Sequence, residues 1–508
     1  MEKINARKLS LIFIFVLILL VLALLVGKFS YSYLGQRIGE DLEGQGEVTA
    51  SGDTLIFSKG NNLSLSATSD NFTTGGSNLS STTNPKVKLV ASSRTNKANA
   101  TYYVGVFIKN NSYTYSTTDN TPEVILTIKD ENGNNVTTGV NGLSYVTSGG
   151  VSGFDVTKAN GVYNVKTDYP ISTTSSTTGT THTWTFTLTF VNLSTDQSVN
   201  ENAKMNVDVY IQKEEYKITL ADYVKSQYTG TQGENNIYYH NSSLENGAGD
   251  NSYRYAGPSD QVNNFVCFGS TTSPCPTDNL YRIVGVFGEN YHGVSGQQLV
   301  KLIKYDYANS NLLGTDGDYQ VGNSYAWNYK ADTSNYNNTW STSLLNKINL
   351  NTNFISNLGP TLANKIATTT WKVGGNTRDN IADAVPEVVY LNEVVNPSTT
   401  ALTGETEYSA KIGLMYVSDY AFAASPSVWT LIMSNNKNTI NNWMYMGEEW
   451  TISRYADTSG SAYYVQKNGV IDFNAIFTRH AVRPSFILEF SITYVSGMGS
   501  MSDPIIIT

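Results

Sequence analysis

Between Glu47 and Lys213 apolar and polar positions alternate in short runs. In Thr183–Val191, TWTFTLTFV, the residues Trp184, Phe186, Leu188 and Phe190 alternate with Thr183, Thr185, Thr187 and Thr189. A period of two belongs to a half-buried strand and to no helix. MNVDVYIQ repeats the rule with Met205, Val207, Val209 and Ile211, and KVKLVAS, TYYVGVFIK and EVILTIKD follow it, the last running into an Asn132-Gly133 turn. Runs of this kind, punctuated by Gly, Asn, Ser and Thr clusters, predict an all-β, immunoglobulin-like sandwich over residues 47–215.

The texture changes near Tyr216. ITLADYVKSQY offers Thr219 as a helix N-cap, Asp222 three residues on, and Leu220, Tyr223, Val224 and Tyr228 at helical spacing. LYRIVGVF and LVKLIKYDY then read as a hairpin pair, followed by helical candidates at 341–348 and 361–367 and by long Asn- and Tyr-rich loops. This mixture predicts an α+β domain over 264–490, preceded by a helix and connecting segment, 216–263, and followed by a C-terminal tail, 491–508.

The first residues carry a different pattern. Leu9–Gly27, LSLIFIFVLILLVLALLVG, is an uncharged apolar run behind Lys3, Arg7 and Lys8. Its length and flanking charge predict a transmembrane anchor, 1–28, then a linker, 29–46, with the rest of the chain extracellular and the protein single-pass in the cell membrane. A cleaved signal peptide, with Ser30-Tyr31-Ser32 as the cleavage site, is the alternative, but the run exceeds a usual signal-peptide core.

Composition narrows the chemistry. Charged residues are 15% of the 508, the net charge is -9, and tyrosine occurs 34 times. No basic face exists for a phosphate backbone, which excludes nucleic acid as a partner. The two cysteines, Cys267 and Cys275, flank a short loop and read as one disulfide. The four histidines, 182, 240, 292 and 480, are scattered singly, so no metal spacing can be drawn. Glu448 and Glu449 are adjacent and point to opposite faces of a strand, which rules out their acting together across a sugar. Asp316, Gly317 and Asp318, and Asp250 with Asn251, gather oxygen donors that weak extracellular calcium sites use and that turns use equally. Neither a metal nor another cofactor is assigned. Aromatic residues on polar loops, Trp327, Tyr329, Tyr336, Trp340, Trp429 and Trp443, are the candidate ligand contacts, because flat apolar faces beside amides suit sugars and protein surfaces.

Taken together, EWTISR, SAYYVQKNGVI and RHAVRPSFIL, with Trp450, Thr451, Ser453, Ala462, Gly469, Val482, Arg483, Pro484 and Leu488, resemble the C-terminal half of C-type-lectin-like domains of the formylglycine-generating-enzyme-like branch, found in bacterial surface proteins. LYRIVGVF and IGLMYVSDYAFA extend the resemblance over 264–489. Catalytic members use a pair of cysteines near the C-terminus, and this chain has none after Cys275. The resemblance therefore implies a lectin-like display scaffold without the chemistry. The expected function is a membrane-anchored extracellular adhesin or ligand-binding protein, not an enzyme, that meets a glycan or surface protein of a host or neighbouring cell. A subunit of a surface fibre or pilus-like assembly is the alternative, and a cell-envelope enzyme would require a convergent catalytic pocket.

Overall fold

Alternation in Thr185–Phe190 becomes a strand with Phe186, Leu188 and Phe190 fully buried. On its other face the Thr187 and Thr189 hydroxyls meet Thr82 and Ser80 of Leu79–Thr83 at 3.0 and 3.1 Å. Such cross-strand pairs each contribute a few tenths of a kcal/mol, about 1 kcal/mol at most. The computed structural model describes residues 45–50, 52–72, 75–318, 320–329, 337–397, 405–437 and 439–508. The chain divides into two compact units, Met1–Ala159 with Tyr163–Tyr216, and Asn160–Val162 with Lys217–Thr508.

In the first unit the pair Leu79–Thr83 and Thr185–Phe190 continues as Lys86–Val90 and Thr180–Thr183, with the Trp184 N–H donating to Pro85 at the step between them. On one side of the step Lys86–Val90 takes Asp53–Ser58 as its next strand. On the other, Thr185–Phe190 takes Val124–Lys129. A second layer runs Gly161–Thr173, Ala98–Lys109, Lys204–Gln212, Leu63–Ser66. Alternate residues of both layers, Trp184, Leu188, Leu126, Val104 and Val207 among them, fill one core. This half is a β-sandwich, as its period of two requires.

The second unit is also built on sheets. Its larger one runs Ile412–Gly413, Ser485–Ile487, Leu299–Lys304, Leu280–Phe287, Phe265–Cys267, Ile505–Ile507, Thr493–Ser496, so residues 491–508 supply two of its strands. Another joins Gln320–Val321, Ser324–Ala326, Arg479–Ala481, Glu449–Tyr455, Ser461–Val465 and Ile471–Ala475. The last two pair around a turn in which Gly469 takes φ +85°, a conformation that glycine adopts without strain. Leu280–Phe287, Leu299–Lys304, Glu449–Tyr455 and Ser461–Val465 are buried at every position, because both faces of each sheet are covered.

The α+β expectation does not hold. Helix makes up 16% of the structure. Leu220–Ser226 does start as the sequence predicts, with the Thr219 hydroxyl accepting from the Asp222 N–H at 3.0 Å. The other helical candidates are broken up by their own residues. Ile355–Ala363 is interrupted at Gly359-Pro360, and the Asn-rich Leu345–Phe354 is wound as a wide π-helix. The transmembrane helix is likewise unsupported: among the described residues no helix is long and apolar enough to cross a membrane. Leu9–Gly27, on which that expectation rests, lies outside the described residues.

Candidate functional site: a cleft at the sandwich edge

An open cleft of about 740 Å³ lies in the first unit, lined by Asn99, Ala100, Thr101, Pro170, Ile171, Ser172, Thr180, His182 and Lys213. Two sheet edges supply its walls. Thr180–Thr183 ends its sheet, with Lys86–Val90 as its partner. Gly161–Thr173 carries Pro170, which has no N–H to give a neighbouring strand and so belongs at an edge. Asn99, Ala100 and Thr101 come from the start of Ala98–Lys109, and the Lys213 ammonium donates to the Thr101 carbonyl at 3.0 Å.

Beneath the cleft a short relay sets the state of His182. The Trp184 indole donates to the Tyr102 hydroxyl at 2.9 Å, and that hydroxyl lies 2.9 Å from His182 Nδ1. The Tyr102 hydroxyl thus joins the indole and the imidazole in one hydrogen-bonded chain. Burial holds His182 below the ordinary imidazole value, opposed by the Glu131 charge, and pushes Tyr102 well up. The lining is thus hydroxyls, an amide, an imidazole and one ammonium beside apolar Ala100 and Ile171. The arrangement offers hydrogen-bond donors and acceptors beside apolar surface.

No family model matches the chain, and no curated protein matches it.

The aromatic residues singled out from the sequence lie elsewhere, in the second unit, and four of them face inward. Trp327, Trp340, Trp429 and Trp443 are each at most 1% exposed. Their indoles are used internally: Trp327 donates to the Thr451 carbonyl, Trp429 to Ala424 and Trp443 to Tyr255, at 3.0, 2.9 and 2.7 Å. Trp340 packs on Trp327 with ring centres 5.1 Å apart, and its Nε1 has no hydrogen-bond partner among the described residues. As ligand contacts these four are corrected to core residues. Tyr329 is half-buried, with its N–H on the Asp318 carboxylate, and Tyr336 lies outside the described residues. The calcium candidates are occupied by protein donors. Asp318 takes Tyr329, Asp316 takes Asn353 at 2.7 Å, and Asp250 takes Arg254 and the Tyr390 hydroxyl at 2.7 and 2.6 Å.

Cys267 and Cys275 form the expected disulfide, with Cα atoms 5.9 Å apart. Arg483, the arginine of the Val-Arg-Pro motif, is structural. Its Nε and Nη2 grip both oxygens of Glu449 at 2.7 and 2.6 Å, and Nη2 also donates to the Met444 carbonyl. Burial raises Glu449 above the usual carboxylate range and the Arg483 charge opposes that shift. The cleft itself escaped the sequence reading. His182 stood out only as a lone histidine, and nothing in the one-dimensional pattern brings Asn99–Thr101 next to Thr180 and His182.

Proposed function

We propose that the protein is a non-catalytic binding protein that works outside the cytoplasm and captures an extended segment of another protein along the cleft of its sandwich. The carrying observation is the cleft itself, open between Thr180–Thr183 and Gly161–Thr173, where a strand laid in would find unpaired backbone groups on an edge and side-chain donors beside them. The Cys267–Cys275 disulfide supports an oxidising compartment. The weakly charged, hydroxyl- and amide-rich composition suits contact through hydrogen bonds and not through charge steering.

The test is selection of peptides from a random library on the folded protein, with Ser172→Trp, an exposed cleft-lining position, as the filled-cleft control. Extended peptides that bind the native protein, slow amide exchange in Thr180–Thr183 and lose binding at least tenfold in Ser172→Trp support the reading. Selection of the same peptides by both proteins, or of none by either, overturns it. Selected sequences that match the chain itself would identify the segment as a second copy's and make the protein an assembly subunit.

A further inference from the structure

A second site lies in the other unit and is independent of the cleft. Lys301, in the middle of Leu299–Lys304, and Asp419, in the helix Val417–Phe422, are 118 residues apart in sequence. Their side chains have no exposure, and Nζ stands 2.6 Å from Oδ2. The rings of Tyr416, Trp371 and Tyr291 surround the nitrogen at 4.4, 4.8 and 5.0 Å. Removing two full charges from water costs several kcal/mol per ion, about what their attraction returns. Burial pushes Lys301 below the ordinary lysine range, against the pull of Asp419.

The surrounding groups treat the two carboxyl oxygens differently. Oδ1 accepts from the Tyr291 hydroxyl at 2.7 Å, and that hydroxyl accepts from Lys301 Nζ at 2.6 Å, so one hydroxyl bridges the nitrogen and this oxygen. Arg254 Nη1 lies 3.9 Å from Oδ1 and has no hydrogen-bond partner among the described residues, although Arg254 is 1% exposed. Oδ2 instead accepts from the backbone N–H of Tyr416 at 2.9 Å. A proton donor therefore attends Oδ1, with the guanidinium that Asp250 holds standing nearby, while a fixed amide dipole holds Oδ2.

We propose that Lys301 and Asp419 condense into an intramolecular amide cross-link. The Nζ lone pair attacks Cγ and the Cγ–Nζ bond forms. Nitrogen gives up two protons in all, one through the Tyr291 hydroxyl and one across its direct contact with the carboxylate; both end on Oδ1, the Cγ–Oδ1 bond breaks, and that oxygen leaves as water. Oδ2 remains as the amide oxygen on the Tyr416 N–H. No oxidant or cofactor enters the balance, and the fold supplies the proximity that makes amine and acid react. Arg254, 3.9 Å from Oδ1, steadies the negative charge that this oxygen carries before it is protonated.

The test is peptide mapping of the full chain after denaturation and reduction. Trypsin should fail to cut after Lys301, and a branched peptide containing Lys301 and Asp419 should appear, lighter than its two parts by one water. Lys301→Met should abolish it. Tyr291→Phe keeps the ring that stacks on Phe287 at 4.0 Å and should slow appearance of the branched peptide after refolding by about a hundredfold, the loss of one proton relay. Complete cleavage after Lys301 in the native sequence, with both linear peptides at full mass, overturns the cross-link. Equal rates in the native protein and Tyr291→Phe overturn the relay.

Discussion

The two units fill their interiors in different ways. Among the described residues, the sandwich buries a single charged side chain, Glu123, whose carboxylate accepts from the Ser116 N–H, Gln197 and Asn200 at 2.5, 2.7 and 2.9 Å. The second unit buries ten, Arg254, Arg282, Lys301, Lys304, Asp318, Glu393, Asp419, Glu449, Arg454 and Arg483. In the sandwich the ladders satisfy the backbone, so apolar residues on alternate positions suffice. Long irregular loops leave carbonyls inside the second unit, and guanidinium groups with five donors collect them. Arg282 reaches the Val262 and Trp443 carbonyls, Arg483 reaches Met444, and Arg454 reaches Val373. Among the described residues Arg282 has no carboxylate partner, and burial with the nearby Arg483 charge lowers it to about 9.

Breaking that contrast starts with the ion pair. Arg483→Ala leaves Glu449 buried without its partner and should cost the second unit about 4 kcal/mol in urea unfolding, whereas the double variant Arg483→Met/Glu449→Leu should recover most of the loss. The sandwich should respond to apolar truncation instead: Leu188→Ala should cost it about 3 kcal/mol and leave the second transition in place. If Arg483→Ala shifts the sandwich transition instead, the division of labour is wrong.

Acid sharpens the same comparison through His480. Its ring lies between Trp450 and Tyr464, with centres 4.5 and 4.4 Å away, and Nε2 is 3.2 Å from the Asn474 amide nitrogen, which donates to it. Burial lowers this imidazole from 6.5 to about 4. Glu448, 3.6 Å from Nδ1, is half exposed and too well solvated to offset that. The unfolded chain therefore takes up the proton first. Stability contributed by the neutral ring is complete above pH 6.5 and falls as the pH drops toward 4, by up to about 3 kcal/mol. Urea unfolding at both ends of that window should show the loss in the second unit, and His480→Gln should flatten it.

Legibility followed the same division. Strands of the sandwich could be read directly, because TWTFTLTFV and MNVDVYIQ become Thr185–Phe190 and Lys204–Gln212 with the expected faces buried. The loops of the second unit misled because asparagine looks like surface. Asn338 and Asn349 have no exposure, and their amides act as internal braces: Asn338 donates to the Tyr455 and Ser461 carbonyls, Asn349 to Leu313 and Asp316. A signal for the Lys301 site was present in the sequence, since LVKLIK sets a lysine inside an otherwise apolar run and YVSDYAFA does the same with an aspartate. Only the fold shows that the two meet.

The parallel pairing of Val266 with Ile505 sets an order of events during synthesis. A chain made from its N-terminus exposes Phe265–Cys267 long before the strand that will lie beside it exists. Until then one side of that strand is an open edge in an apolar stretch, available to neighbouring chains. Closing it requires a long loop to be fixed first, which is slow for pairings so distant in sequence. The second unit should therefore be the late and aggregation-sensitive half of biogenesis, while the sandwich can form as soon as Lys204–Gln212 emerges.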